Sequence, residues 1–371
     1  MNLPRGCKRN RVGPPLLFQT TKVFVHQYIF DFVSIVWEAL PFIVLGVILA
    51  GLLEEFVPQQ VIAKVIPKNR ILAIAIGGFL GVVFPMCECG IIPVMRRLLR
   101  KGVPLSLCVT YVLAGPVINV VVLTSTYVAF DYTPTKEEGH VFGGPANVVL
   151  LRAGFAYLVA FNVGLLVEWL SRKPGIELLS PLVTRGLKKD DGVGQSAPVA
   201  PDLNQNNNND DVEEQRVKRT PMERLNNITG TALNDFVDIM AFLILGAILA
   251  SIGRNMLKGT DFSETVRDNP SLAILIMMGL AILFCLCSEA DAFVAAAFPA
   301  VFPPASKMAF LVLGPMMDLK LYMMYTRVFR PRLIWTIIAA VVIQVFVYML
   351  LLHYFWEDAY NFFQQFGGNG A

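Results

Sequence analysis

The sequence predicts an all-α, polytopic membrane protein of about eight transmembrane helices, with nine as the alternative. The helices fall in two homologous halves with broken or re-entrant segments. Three observations carry this expectation. Of the 371 residues 55% are hydrophobic and only 16% are charged, below the ~25% of soluble domains. Apolar runs able to cross ~30 Å of hydrocarbon recur along the chain. They are continuous rather than alternating, which argues for helices and against an outer-membrane barrel. The chain also repeats itself: Leu72, Ala73, Leu80, Phe84 and Cys87 match Leu272, Ala273, Leu280, Phe284 and Cys287 at a shift of 200. Gly115-Pro116-x-x-Asn119 matches Gly314-Pro315-x-x-Asp318 at a shift of 199.

The elements follow in order. Residues 1–27 are basic (Arg5, Lys8, Arg9, Arg11, Lys22) and are expected in the cytoplasm. The first membrane repeat covers 28–170. Its first apolar segment, 28–53, holds Asp31 and Glu38 near one end and Pro41 as an expected kink. The second, 71–86, carries Gly77, Gly78 and Gly81, which let another helix approach closely. Gly90 and Pro93 interrupt the apolar stretch after Cys87, so 89–95 is expected to be unwound or re-entrant. The basic run 96–101 then marks the cytoplasmic side. A third segment, 105–130, is broken at Gly115-Pro116, because proline removes a donor and frees an earlier carbonyl. An acidic loop follows (Asp131, Glu137, Glu138), expected outside, and a fourth segment covers 146–170.

Residues 171–227 read as a disordered cytoplasmic linker, with an asparagine run at 206–209 and many Lys and Arg. The second membrane repeat covers 228–356. At 42–50 the chain reads FIVLGVILA, and at 242–250 FLILGAILA, six of nine positions identical. Further apolar segments fall at 271–287, 308–325 and 333–353, before a tail at 357–371. Eight spans with the N-terminus inside put Arg327, Arg330 and Arg332 outside, against the positive-inside rule. A ninth crossing at 292–302 removes that conflict. Whether the repeats are parallel or inverted follows from the count.

Several function classes are set aside. The net charge of +3 comes from basic loops, so no nucleic-acid partner is implied. Six cysteines in apolar sequence are no secreted disulfide framework. No phosphate loop, Gly-x-Ser-x-Gly or His-rich metal motif is present, so neither an enzyme nor a bound cofactor is expected. Any pumping must then draw on a gradient or on another subunit.

The residues that could do chemistry gather at the breaks. Cys87 and Cys89 bracket Glu88; Cys285 and Cys287 precede Glu289 and Asp291. Thiolates suit soft metals and thiophilic species such as trivalent arsenic, so Cys87, Cys89 and Cys287 are candidate soft contacts or metal ligands. A Cys-x-Cys pair alone is not a closed zinc site, and cysteine also serves as a small packing residue in helices. Glu88, Glu289, Asp291 and Asp318 are the sharper signal. An acid at mid-membrane costs roughly 2.5–3.5 kcal/mol and usually faces a cavity or a proton path; the plainer alternative places such acids at helix ends near the headgroups. Asn119 and Asp318 each follow a Gly-Pro break, where exposed backbone dipoles can hold an ion or substrate. The plainer alternative there is a structural kink.

At these residues the chain resembles the predicted-permease family that includes the trivalent organoarsenical efflux permeases (ArsP-type). The matching stretches are 85–94 (PMCECGIIPV), 96–104 (RRLLRKGVP), 114–119 (AGPVIN), 287–295 (CSEADAFVA) and 313–320 (LGPMMDLK). The resemblance implies a permease of the plasma membrane, the inner membrane in bacteria, and in its arsenical branch membrane cysteines that handle trivalent arsenicals. The resulting expectation is a secondary transporter exporting a small, thiophilic solute. Cys87, Cys89 and Cys287 would be its soft contacts, Glu289, Asp291 and Asp318 its proton-coupling groups, and Asn119 would line the path. Partners would be the small-molecule or metalloid substrate and membrane lipids, with homo-oligomerisation open. The alternatives are a membrane thiol–disulfide redox protein using Cys87/Cys89 or Cys285/Cys287, a soft-metal ion permease, or a non-transporting scaffold.

Overall fold

A computed structural model describes residues 67, 69–84, 86–131, 144–172, 269–298 and 302–355, with single positions between 33 and 52 and between 229 and 248. The expectations for residues 1–27, for 357–371 and for nearly all of the 171–227 linker lie outside the described residues. Ten helices are delineated among the described residues, and no strand. They are α1 (Arg70–Val83), α2 (Glu88–Arg100), α3 (Leu105–Ala114), α4 (Val120–Asp131), α5 (Pro145–Ser171), α6 (Pro270–Phe284), α7 (Ser288–Ala297), α8 (Pro304–Leu313), α9 (Leu319–Tyr325) and α10 (Pro331–Tyr354). Two are long and apolar enough to cross a bilayer, α5 with 27 residues and α10 with 24.

Both Gly-Pro sites fall between helices, 115–116 between α3 and α4 and 314–315 between α8 and α9. The Val117 and Ile118 N–H groups both donate to Ala114 O, at 3.0 and 2.8 Å, which tightens the end of α3 into a turn. Asn119 then starts α4 as its N-cap, its Oδ1 accepting from Val122 N at 2.8 Å. The second site has the same hydrogen bonds: Met316 and Met317 donate to Leu313 O at 3.0 and 2.8 Å. Asp318 caps α9, its Oδ1 accepting from Leu321 N at 2.5 Å. Pro93, by contrast, is no break. It lies inside α2, which is a continuous, largely buried helix from Glu88 to Arg100. The interruption falls earlier, at 84–87, between α1 and α2. Proline is tolerated here in the second turn, where little of the helix precedes it to be kinked.

Glycine contacts fix how the first helices run. A Cβ on Gly77 would meet Leu107, one on Gly78 would meet Tyr157 and Thr110, and one on Gly81 would meet Gly115 and Ile118. Rising numbers in α1 therefore meet rising numbers in α3, and these two helices run parallel. The long helix α5 runs against them. At their starts Arg70 donates to Glu168 Oε1 at 2.5 Å and Ser106 Oγ to Glu168 Oε2 at 2.9 Å, close to the end of α5. Because α2 joins the end of α1 to the start of α3, it must double back. The pair α1–α2 is thus a helical hairpin whose tip lies level with the 115–118 break, and Ile91 of α2 packs on Gly115.

The corresponding hairpin α6–α7 lies on the other side of the breaks. The helix α7 packs against α4, which continues beyond the first break, while α2 packs against α9, which continues beyond the second. Both hairpin tips and both breaks converge on one level.

The Gly81 contact carries a prediction. An added methyl would stand 2.6 Å from Gly115 Cα and 2.7 Å from Ile118 O, both backbone atoms that cannot rotate away. Gly81→Ala should therefore lower the stability of the detergent-solubilised protein by about 1–3 kcal/mol. Gly154→Ala, where nothing lies within 4 Å, should leave the melting temperature unchanged or raise it.

Candidate functional site

The convergence level is where the sequence placed its polar residues, and the structure sorts them into two groups. In the first, Glu88 opens α2 and is 1% exposed. Its Oε1 accepts from Lys320 Nζ at 2.7 Å. The same ammonium lies 3.4 Å from Asp318 Oδ2. Lys320 is the second residue of α9, so the cap that starts this helix also presents its lysine to the first half of the chain. All three side chains are buried. Removing two charges from water costs several kcal/mol per ion, and only close geometry offsets it. Tyr325, also buried, lies within electrostatic range of Asp318 and Glu88.

The second group centres on Arg152 of α5, which is completely buried. Its Nη1 donates to Thr126 Oγ1 on α4 at 2.6 Å, and its Nη2 to Ser288 O at the start of α7 at 2.9 Å. It thereby ties the start of the second hairpin to the first half of the chain. Asp291, one turn into α7 and 2% exposed, lies within electrostatic range of Arg152, Lys320, Glu88 and Asp318. Its carboxylate rests on the second break: a Cβ at Gly314 would stand 2.6 Å from Asp291 Oδ2. The two breaks thus have the same backbone and different chemistry, since Ile91 covers Gly115 and Asp291 covers Gly314.

Several buried polar atoms have no hydrogen-bond partner here. They include Glu88 Oε2, Asp291 Oδ2, Asp318 Oδ2 and the Tyr325 hydroxyl. Buried polar groups are almost always hydrogen-bonded, which sets these atoms apart from the rest of the packed interior.

The remaining expected residues divide. Cys87 and Cys287 are N-caps of α2 and α7, and both are buried. The Cys87 thiol is within hydrogen-bonding reach of Cys89, and Cys89 is within electrostatic range of Lys320. The candidate metal set Cys87, Cys89 and Cys287 is not assembled: among the described residues no group of three or more His, Cys, Asp or Glu could hold a metal ion. Asn119 faces its own turn. Its Nδ2 donates to Gly115 O and Pro116 O at 3.4 and 3.3 Å. Glu289 is half-buried, beside the Ser288 hydroxyl at 3.4 Å. Cys285 adopts a left-handed conformation, φ 47°, unusual for a residue with a Cβ. Its sulfur faces the backbone N–H groups of Leu319 and Lys320.

Lys320 and Arg152 were not among the expected site residues. The signal was available: each is a lone cation in an apolar helix, and such a residue in a bilayer needs a partner.

A model of the predicted permease family (ArsP_1) matches residues 26–354. UPF0718 protein YcgR of Bacillus subtilis (strain 168) is 36% identical over 321 residues, covering 86% of this chain and 95% of the relative. A Streptococcus mutans protein (serotype c, strain ATCC 700610 / UA159), named as a subunit of a two-component membrane permease complex, is 31% identical over 328 residues, 88% and 95% of the two chains. No solved structure matches the chain. The chain belongs to the predicted permease family, and it is a membrane protein.

The ion pair can be tested by itself. Lys320→Gln leaves Glu88 buried without its counter-ion and should cost about 3–5 kcal/mol. The double variant Glu88→Gln/Lys320→Gln should recover a large part of that loss. Chemical denaturation of the four proteins of this cycle measures the coupling.

Proposed function

We propose that this member of the predicted permease family is a multi-pass secondary transporter of the plasma membrane (the inner membrane in bacteria), rather than an enzyme, and that it exports a small solute against an inward flow of protons. One observation carries the reading: a fully buried set of charged side chains, with unpartnered carboxylate oxygens, at the level where two broken helices and two hairpin tips meet. Ionisable groups at membrane depth mark substrate or proton paths, and discontinuous helices build such sites in many transporters.

The order of helices supports a topology of two inverted repeats. Each contains one re-entrant hairpin (α1–α2, α6–α7), one broken crossing (α3–α4, α8–α9) and one long crossing (α5, α10). Counted from a cytoplasmic linker, Arg327, Arg330 and Arg332 then lie inside and Glu357 and Asp358 outside, in accord with the charge rule and with no ninth span. If 28–53 crosses once, this topology has six crossings and two hairpins in place of eight or nine spans. The basic N-terminus then falls outside, against the charge rule and the cytoplasmic placement expected from its composition.

The thiols suit a thiophilic solute such as a trivalent (organo)arsenical. Cys87 and Cys89 lie together beside Glu88 and Lys320, and among the described residues no group of three or more His, Cys, Asp or Glu closes a metal shell. A species that takes one or two thiols fits that arrangement better than a cation that needs four ligands. The printed name of the Streptococcus relative supports a second subunit as partner, with a homo-oligomer as the other form of assembly.

Two measurements test the reading. Reporter fusions after residues 269 and 330 should read outside and inside respectively; the opposite pattern, or both on one side, defeats the inverted topology. In inverted membrane vesicles, trivalent methylarsenite should accumulate when a proton gradient is imposed, and Cys87→Ser/Cys89→Ser should lower the rate by roughly tenfold or more, about 1.4 kcal/mol of lost interaction. Unchanged accumulation in that variant removes the soft-contact role, and gradient-independent accumulation removes proton coupling.

A further inference from the structure

We infer that Asp291 holds a single exchangeable proton of the site, on the oxygen seated against Gly314, and that this contact links proton binding to the second helix break. The inference rests on the transporter reading above and assigns its coupling group.

The argument starts from a charge count. The fully buried charged side chains at the convergence level are the cations Lys320 and Arg152 and the acids Glu88, Asp318 and Asp291. Two cations against three acids leave one negative charge in excess. A surplus charge at this depth is costly, so the cluster takes up one positive charge. The donors do not form a metal-holding group, which leaves a proton.

Contacts decide which acid receives it. Glu88 has Lys320 at 2.7 Å, and Asp318 has Lys320 at 3.4 Å and the Leu321 N–H at 2.5 Å. Each is held by a cation and, for Asp318, by a backbone donor as well. Among the described residues Asp291 has no ion pair within 4 Å, unlike Glu88 and Asp318, and its Oδ2 has no hydrogen-bond partner. Arg152, the cation that faces it from α5, directs Nη1 to Thr126 and Nη2 to Ser288 O instead. The other titratable groups facing Asp291 are Glu88 on α2, with Asp318 and Lys320 at the start of α9. Glu289 on its own helix is half-buried beside Ser288 and lies outside the count.

The position of the proton gives it leverage. Asp291 Oδ2 lies 2.6 Å from where a Cβ of Gly314 would be, and Gly314 opens the turn that ends at Asp318 and carries Lys320 to Glu88. An ionised Asp291 attracts Arg152 and Lys320; a neutral one releases both to their present partners. Loading and release of one proton therefore shift a cation between Asp291 and the Glu88–Asp318 pair, across the hinge formed by the break. The proton enters from water on one side and returns to water on the other, with no other chemistry.

Infrared difference spectroscopy of the full-length protein in liposomes, titrated with acid and base, reads this directly through the carbonyl stretch of a protonated carboxylic acid. Around neutral pH the wild type should show one such buried band. Asp291→Asn should abolish it, Asp291→Glu should keep it at a shifted frequency, and Glu289→Gln should leave it alone. The paired variant Glu88→Gln/Lys320→Gln removes one charge of each sign, so the count is unchanged and the band should persist. A band that survives Asp291→Asn, or that is lost in the paired variant while the protein remains monodisperse, overturns the assignment, as does its absence from the wild type. Proton occupancy is read here without any transported solute. A band on Asp291 together with gradient-independent vesicle uptake would refute the transporter's proton coupling and leave the proton site standing.

Discussion

The contact on which the rest of the structure depends is the buried pair between Glu88 and Lys320. Its members are 232 residues apart in sequence and 2.7 Å apart in space. Each lies in the first turn of a helix that starts at an interruption, Glu88 after the hairpin tip and Lys320 after the Gly-Pro break. Neither charge is affordable alone in an apolar core, so the two interruptions must meet. Arg152 makes a second connection of the same kind, between α5, α4 and the start of α7. Together they hold the two hairpins tip to tip.

Such an arrangement requires backbones to approach closely, and small residues provide for it. Gly81 meets the first break through backbone atoms, and Gly314 admits the Asp291 carboxylate at the second. In lipid, small residues of this kind replace the hydrophobic drive that packs helices in water. The same geometry then hosts different chemistry in each half. Where Ile91 seals the first break, Asp291 sets a carboxyl group on the second; where Asn119 satisfies its own turn, Asp318 shares a lysine with Glu88. The backbones of the two breaks match while their side chains differ. The buried acids and cations at this level come from both halves: Glu88 and Arg152 from the first, Asp291, Asp318 and Lys320 from the second.

Much of the candidate site could be read without coordinates. Glu88, Asp291 and Asp318 stood out because an acid inside an apolar run needs a reason, and all three are buried at the convergence level. Asn119 and Pro93 show what local sequence leaves open: it marks a departure from ideal helix and does not say which group satisfies it. The Asn119 amide folds back on Gly115 and Pro116, and α2 runs on through Pro93. The cysteines were legible as neighbours in sequence, but Cys287 forms no metal-holding set with Cys87 and Cys89. Lys320 and Arg152 are legible by the same desolvation argument, which applies to a buried cation as it does to a buried acid.

What the sequence determined by itself was local: apolar runs long enough for helices, Gly-Pro steps that end them, and capping residues at 119 and 318 that restart them. These follow from covalent geometry and from the absence of a proline N–H, and they need no distant partner. The direction of each hairpin, the pairing of Glu88 with Lys320 and the seating of Asp291 on Gly314 were decided only by the tertiary structure. They depend on which buried charge finds which counter-charge across hundreds of residues, and electrostatics in a low-dielectric interior settles that choice in three dimensions rather than along the chain.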